Sequence, residues 1–372
     1  MDILLVEPFF GGSHAAWARG LQAHSRHRIE LLTLPDRSWK WRMHGGALTL
    51  AREFLAGEGL SPDFWPDLIL ASDMLDLTTF LALTRERTAG IPTVLYFHEN
   101  QLAYPWSPDD PDIARGRDQH YGFINLAAAL AADAVWFNSA HNRDTFLAGS
   151  RDLLARMPDH QETGRVAEIA GKAAVMPLGL DLARLDDHRP GQARSGPPLI
   201  LWNHRWEHDK NPDAFFGALF TLAERGLAFE LAILGQRFRS HPAVFDEARE
   251  RLGERIVQYG PVASLTDYAA WLWAADLLPV TSRHDFFGIS VAEACYCRTR
   301  PLLPNRLAYP ELIPESLQAG CLYEHEETLP DRLEAALQWP GPDPDALRAA
   351  MARFDWAIMA PRYDQALAAL AR

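Results

Sequence analysis

His284-Asp285-Phe286-Phe287-Gly288-Ile289-Ser290-Val291-Ala292-Glu293 follows an apolar run that reads as a strand. Two carboxylates, Asp285 and Glu293, stand eight residues apart with a glycine between them. A helix starting near Gly288 would direct unpaired backbone N–H groups, and the positive end of its dipole, toward the preceding loop. Phosphate is a natural occupant of such a helix start, with Phe287, Gly288, Ile289 and Ser290 supplying the backbone. Glu293 would lie one turn into the helix, able to accept hydrogen bonds from a ribose diol. Asp285, on the loop before it, could grip a sugar hydroxyl. The layout suits a sugar joined to a nucleoside diphosphate.

On both sides of this stretch, short apolar runs alternate with helical patterns. Strands are expected at Ile3–Glu7, Ile29–Leu34, Leu68–Ser72, Thr93–His98, Ala134–Asn138 and Ala174–Pro177. Helical patterns at Ala15–Ala23, Leu75–Arg87 and Ile124–Ala132 lie between them. Residues 186–198 are polar and rich in Pro and Gly, and read as a linker. A second series follows, with strands at Leu199–Asn203, Phe229–Leu234, Ile256–Tyr259, Leu277–Thr281 and Pro301–Leu303. Its helices are expected near Asp213–Arg225, Pro242–Leu252, Leu265–Ala274 and Ile289–Cys297, and the tail Phe354–Ala371 also reads as helical. Strand–helix alternation of this kind predicts an α/β protein with parallel sheets. Two such halves, 1–190 and 198–353, with a C-terminal helix over 354–372 that can return to the first half, imply a cleft that closes on a substrate. Ligands are expected beyond the C-terminal ends of the strands.

At 372 residues the chain has room for two domains, and an apolar share of 48% with 12 Trp fits packed cores. No stretch is apolar for long enough to span a bilayer, and the opening Met1-Asp2-Ile3-Leu4-Leu5-Val6 reads as a strand, not a leader. The three cysteines, Cys295, Cys297 and Cys321, form no disulfide framework or zinc pattern and fit a reducing, cytoplasmic setting. A net charge of −13 argues against a broad nucleic-acid surface. The first 50 residues nevertheless carry six cations (Arg19, Arg26, Arg28, Arg37, Lys40, Arg42) against four acids.

Four other segments carry chemistry. Arg205 and Lys210, five residues apart on the loop after the first strand of the second half, can face one anion. A guanidinium fork and an ammonium point charge together would neutralise a departing diphosphate. Phe9-Phe10-Gly11-Gly12-Ser13-His14 lets backbone approach a ligand closely, but it lacks the dinucleotide fingerprint, which argues against a dehydrogenase. His98, where a strand spills into Glu99-Asn100-Gln101, is placed for ligand contact. Trp39-Lys40-Trp41-Arg42 alternates rings with cations; it reads equally as a base-stacking, phosphate-binding segment or as an amphipathic loop plugging the core. Asp118, Tyr121, Gly122 and Asn125 open the next helix with no role fixed by spacing.

With these residues in place, the second half resembles the family 4 retaining glycosyltransferases. The whole chain resembles one branch of them, the tRNA-queuosine mannosyltransferases. The likeness is carried by Glu7-x-Phe9-x-Gly11-Gly12-Ser13-His14, Trp39-x-Trp41-Arg42, Tyr96-Phe97-His98-Glu99-Asn100-Gln101-Leu102, Arg117-Asp118, Phe137-Asn138-Ser139, His204-Arg205-Trp206-Glu207-His208-Asp209-Lys210 and Glu293-Ala294-x-Tyr296-Cys297. The resemblance implies the glycosyltransferase B architecture, two Rossmann-like domains facing a central cleft. It implies GDP-mannose as donor, the cyclopentenediol of queuosine in tRNA as acceptor, and neither cofactor nor metal. Carried over, Arg205 and Lys210 hold the diphosphate, Glu293 the ribose, Asp285 the transferred sugar and His98 its reacting end. Gly11 and Gly12 form the donor-side loop. The acceptor side is expected to draw on Ser13, His14, Trp39, Lys40, Arg42, Asn100 and Tyr121. Asp285 departs from the family, which usually has the longer Glu there, so the donor sugar is less fixed than the reaction class. The competing readings are a glycan, lipid or small-metabolite acceptor, and an inactive RNA-binding protein on the same fold.

Overall fold

The computed structural model describes residues 1–105, 119–192, 194–236, 241–339 and 341–371. The chain forms two compact units, Met1–Leu180 with Trp356–Arg372, and Asp181–Asp355.

The first unit is built on a six-stranded sheet of β1 (Asp2–Phe10), β2 (Arg28–Pro35), β3 (Leu68–Ser72), β4 (Thr93–Phe97), β5 (Ala134–Phe137) and β6 (Ala173–Val175). The order is β2-β1-β3-β4-β5-β6, and every recorded pairing is parallel. All residues of β3, β4 and β5 are buried, because helices cover both faces; such strands read as unbroken apolar runs with no alternation. Chain direction across the sheet reverses at β1, so the loops after β1 and β3 flank a switch point, the usual ligand position in this architecture, and the loop after β4 is the next one along.

The C-terminal helix Trp356–Leu370 belongs to this unit. Gly20 and Gly179 both lie against the indole of Trp356, where a Cβ would come within 2.2 and 2.3 Å of ring atoms. The Trp17 indole donates to the Tyr363 hydroxyl (3.1 Å), which donates to the Pro177 carbonyl (3.0 Å). The buried Asp364 accepts from Ser25 Oγ (2.5 Å) and Arg26 N (3.0 Å).

The second unit carries β7 (Leu199–Trp202), β8 (Glu230–Ile233), β9 (Ile256–Tyr259), β10 (Leu277–Pro279), β11 (Arg300–Pro304) and β12 (Leu322–Tyr323), in the order β12-β11-β10-β7-β8-β9. This is the doubly wound pattern with its switch point between β7 and β10. The two expected cation- and acid-bearing loops are the ones that leave these two strands.

Three sequence expectations change. Trp39–Arg42 is not a loop but the first turn of the helix Trp39–Ala56. Residues 183–188, which overlap the expected linker, form a 3-10 helix packed into the second unit. There Asp186 accepts from Tyr296 OH (2.9 Å) and from Arg348 Nη2 (2.7 Å). The helix Ala140–Ala155 was absent from the apolar pattern because its buried face includes the polar Asn142 and Ser150. Among the described residues, no helix is long and apolar enough to cross a membrane.

Candidate functional site

The loop leaving β7 is held down by a glycine. Gly235, just past β8, has φ +89°, and a Cβ there would stand 1.9 Å from the His204 carbonyl oxygen. Buried Trp206 anchors the next turn, donating to the Leu234 carbonyl (2.8 Å) and stacking on Phe245 at 4.1 Å. Arg205 therefore projects outward between two buried residues; its side chain is half exposed and pairs with Glu207 at 3.1 Å.

Lys210 differs from Arg205 in burial. It is buried, donates from Nζ to the His284 carbonyl (2.8 Å) and pairs with Asp209 (2.9 Å). Thr281 Oγ1 donates to the Lys210 and Asn211 carbonyls, both at 2.9 Å, and Arg283 N donates to the Asp209 carbonyl at 2.8 Å. The loops after β7 and β10 are thus stitched into one body around the ammonium. Asp285 accepts from Phe287 N (3.1 Å) and Tyr309 OH (3.2 Å). Burial opposes its charge, but Lys210 and the Phe287 N–H outweigh that and hold the carboxyl below its ordinary range.

Gly288 caps the helix Ile289–Tyr296 with φ +94°, and a Cβ would lie 2.8 Å from Leu312 Cδ1, so both conformation and space demand glycine. The helix start is fixed to the β7 loop: Asn203 Nδ2 donates to the Ser290 carbonyl (2.9 Å), and Ser290 Oγ lies 3.1 Å from His204 Nδ1. Burial and the Lys210 charge push His204 down to about 4, so at neutral pH it is an uncharged partner. Glu293 accepts from Tyr268 OH (2.8 Å) and stands 4.0 Å from Arg184; burial raises its carboxyl despite both. The expected diphosphate and ribose residues thus lie at or beside one switch point. Lys210 and Asp285 are electrostatically coupled within it, while Arg205 sits at its exposed side beside Glu207.

In the first unit, Gly11 is required by Asp36, whose Oδ2 a Cβ would approach to 2.0 Å, and Gly12 takes φ +50° where the helix Gly12–His24 begins. Ser13 is exposed on its first turn, and His14 is buried behind it. His14 Nδ1 is 3.0 Å from Glu7 Oε2, and the other Glu7 oxygen accepts from Phe9 N (2.8 Å). Burial disfavours the imidazolium, but Glu7, Asp73 and Glu99 overcome it and raise His14 to about 9. The ring of His98 is 4.2 Å from that of His14 and is edged by Trp17 and Tyr96. Burial, then the His14 charge, keep His98 well below the ordinary imidazole value. His98 Nε2 and Asp73 Oδ2 are buried with no hydrogen-bond partner among the described residues. Glu7, His14 and His98 each offer a ligand atom within 4.8 Å of the others, the group among the described residues able to hold a cation; near neutral pH the His14 proton supplies that positive charge.

Asp73 and Glu7 were not singled out as site residues from the sequence. The available signal was position: each is an acid at, or one residue beyond, a strand that otherwise reads apolar. Asp73 Oδ1 accepts from His98 N (2.8 Å), and Asn125 Nδ2 donates to the Asp73 carbonyl (2.8 Å). Asn138 Nδ2 donates to the His98 carbonyl (2.7 Å). Asn100 is fully buried, with its amide committed to Asn142 and Ala103, so it shapes the loop from within. Trp39 packs on Tyr121 (5.1 Å) beside Met43, Met74 and Ile124. Lys40 Nζ lies 5.6 Å from the Trp39 ring, and Arg42 Nε donates to the Pro35 carbonyl (3.0 Å). Arg117 and Asp118 fall outside the described residues.

Solved structures share this fold. Sucrose-phosphate synthase from Thermosynechococcus elongatus matches with TM-score 0.71 at 15% identity, covering 100% of this chain and 99% of that one. The Anabaena protein HepE in complex with UDP matches with TM-score 0.69 at 15% identity, covering 100% of both. The fold is accordingly the glycosyltransferase B architecture. A family model described as the tRNA-queuosine alpha-mannosyltransferase N-terminal region matches residues 2–180. The tRNA-queuosine alpha-mannosyltransferase of Drosophila melanogaster is 33% identical over 322 residues, 84% of this chain and 82% of that protein. The chain belongs to the tRNA-queuosine alpha-mannosyltransferase family and is a glycosyltransferase.

Proposed function

We propose that the protein transfers mannose from GDP-mannose to the cyclopentenediol of queuosine in tRNA, with retention at the anomeric carbon and without a metal ion. The observation that carries the reading is the switch point of the second sheet. Buried Lys210, a Gly288-capped helix start and Glu293 meet there in a chain of this family. In this reading the sugar–phosphate bond loosens first. Arg205, Lys210 and the first N–H groups of the helix Ile289–Tyr296 stabilise the departing diphosphate. Glu293 holds the ribose, Asp285 the sugar, and His98 the reacting end of the sugar. An oxygen of the donor takes the acceptor proton on the same face, so no protein general base is required. The three cysteines are free and buried, which fits a reducing cytoplasmic setting.

A second reading keeps the reaction and changes the sugar. Both Asp285 oxygens already accept from protein donors, and the shorter side chain reaches less far than the family's usual Glu. One experiment covers both readings: incubation with queuosine-containing tRNA and a panel of nucleotide sugars, with and without EDTA, followed by mass spectrometry of the digested nucleosides. The expected result is a hexose added to queuosine from GDP-mannose at an EDTA-independent rate. Transfer from another donor would support the second reading. Loss of transfer in EDTA would overturn the metal-free mechanism and direct attention to Glu7, His14 and His98.

A further inference from the structure

Large aromatic side chains are mostly buried in this chain; Trp17, Trp202, Trp206 and Trp356 are all fully enclosed. Trp41 is 59% exposed, on the first turn of the helix Trp39–Ala56, and Phe123 is 49% exposed on the helix His120–Ala131. Gly45 explains how the Trp41 ring is held. A Cβ at Gly45 would lie 2.4 Å from both Cε2 and Cζ2 of that indole and 2.9 Å from Cη2, so the ring lies across the glycine and turns its other face to solvent. Glycine weakens a helix interior relative to alanine, and the helix carries that cost where the ring lies. Three residues past Trp41, the His44 ring stacks on His120 at 4.6 Å and 21°. Tyr121 backs the pair, 5.4 Å from His44, and is itself seated on Trp39.

We propose that the exposed rings of Trp41, His120 and Phe123, with the half-buried His44 stacked on His120, form a stacking platform for unpaired bases of an RNA strand. The proposal rests on the RNA-acceptor reading above and gives the acceptor a place on the first unit. Charge selects the partner. From residue 37 to residue 44 the chain carries Arg37, Lys40 and Arg42 and no carboxylate, although its net charge is −13. Exposed ring faces interleaved with cations match splayed bases on a phosphate backbone, and every base offers a π face. An apolar protein partner would instead favour a continuous apolar patch with few charges at its centre.

The test is fluorescence anisotropy of a labelled RNA hairpin with the sequence of an anticodon arm, at one fixed salt concentration. Trp41→Ala is expected to weaken binding about tenfold, as loss of a stacking ring typically does. Trp41→Phe should retain most of the affinity. Because the ring is exposed, the melting temperature and the affinity for GDP should match the parent. With full-length tRNA as acceptor, KM should rise while kcat holds. Parent protein that binds RNA, with Trp41→Ala within twofold of it, would overturn the platform alone. Parent protein that binds no RNA would overturn both the platform and the RNA-acceptor reading.

Discussion

Arg205→Ala is expected to lower kcat by about 100-fold or more while leaving the fold intact, as removal of a group that stabilises developing charge typically does. The expected split follows from where the guanidinium sits. Its side chain is half exposed and pairs with the neighbouring Glu207. Exposed ion pairs contribute about 0–1 kcal/mol to stability. The melting temperature should therefore barely move, and any loss of rate reports on the reaction. Arg205→Lys should restore little, because a point charge on a flexible stem does not reproduce a planar fork. Steady-state kinetics beside a thermal melt checks both halves of the expectation. An unchanged kcat would remove Arg205 from the diphosphate site.

Lys210→Met is expected to lose stability as well as activity. The ammonium is buried between Asp209 and the His284 carbonyl, and its charge helps keep Asp285 ionised. Removing one member of a buried charge set strands the others at a cost of about 3–5 kcal/mol. At this domain size that corresponds to a melting temperature lowered by on the order of 10 °C. The sign of the pH dependence follows from Asp285, whose folded-state pKa is depressed below the ordinary 3.8. A depressed carboxylate contributes stability that is full above its unfolded pKa and is lost as pH falls through the folded value. The gap between parent and Lys210→Met should therefore be widest at neutral pH and narrow in acid, below the ordinary carboxylate range. Denaturant melts across that range would show it. A gap independent of pH would mean that Lys210 does not act through Asp285.

Much of the fold was legible in the sequence because its strands are short apolar runs, with β3, β4, β5, β7 and β10 buried throughout. Leu68–Ser72 and Ile256–Tyr259 take the expected bounds, and the helix start at Gly288 follows from a glycine that both φ and space require. What was not legible depends on direction. Trp39 and Trp41 read alike in Trp39-Lys40-Trp41-Arg42, yet one packs on Tyr121 and the other faces solvent. A helix sends neighbouring side chains to different faces, and that helix was not expected there. Arg205 and Lys210 read alike as two cations on one loop, yet one is half exposed beside Glu207 and the other is buried against the His284 carbonyl, a difference that spacing does not carry. Asp73 could not be found from spacing, since its partner His98 arrives from the next strand, 25 residues later. Asn100 invited a ligand role by its place after His98, but its amide is buried and held by Asn142, 42 residues on, and by Ala103.

The most direct measurement is a crystal structure of the protein with GDP bound. The diphosphate is expected on Lys210 Nζ, the Arg205 guanidinium and the first N–H groups of the helix Ile289–Tyr296, with the ribose hydroxyls on Glu293. A nucleotide bound elsewhere, or a diphosphate that touches none of these groups, would contradict the account.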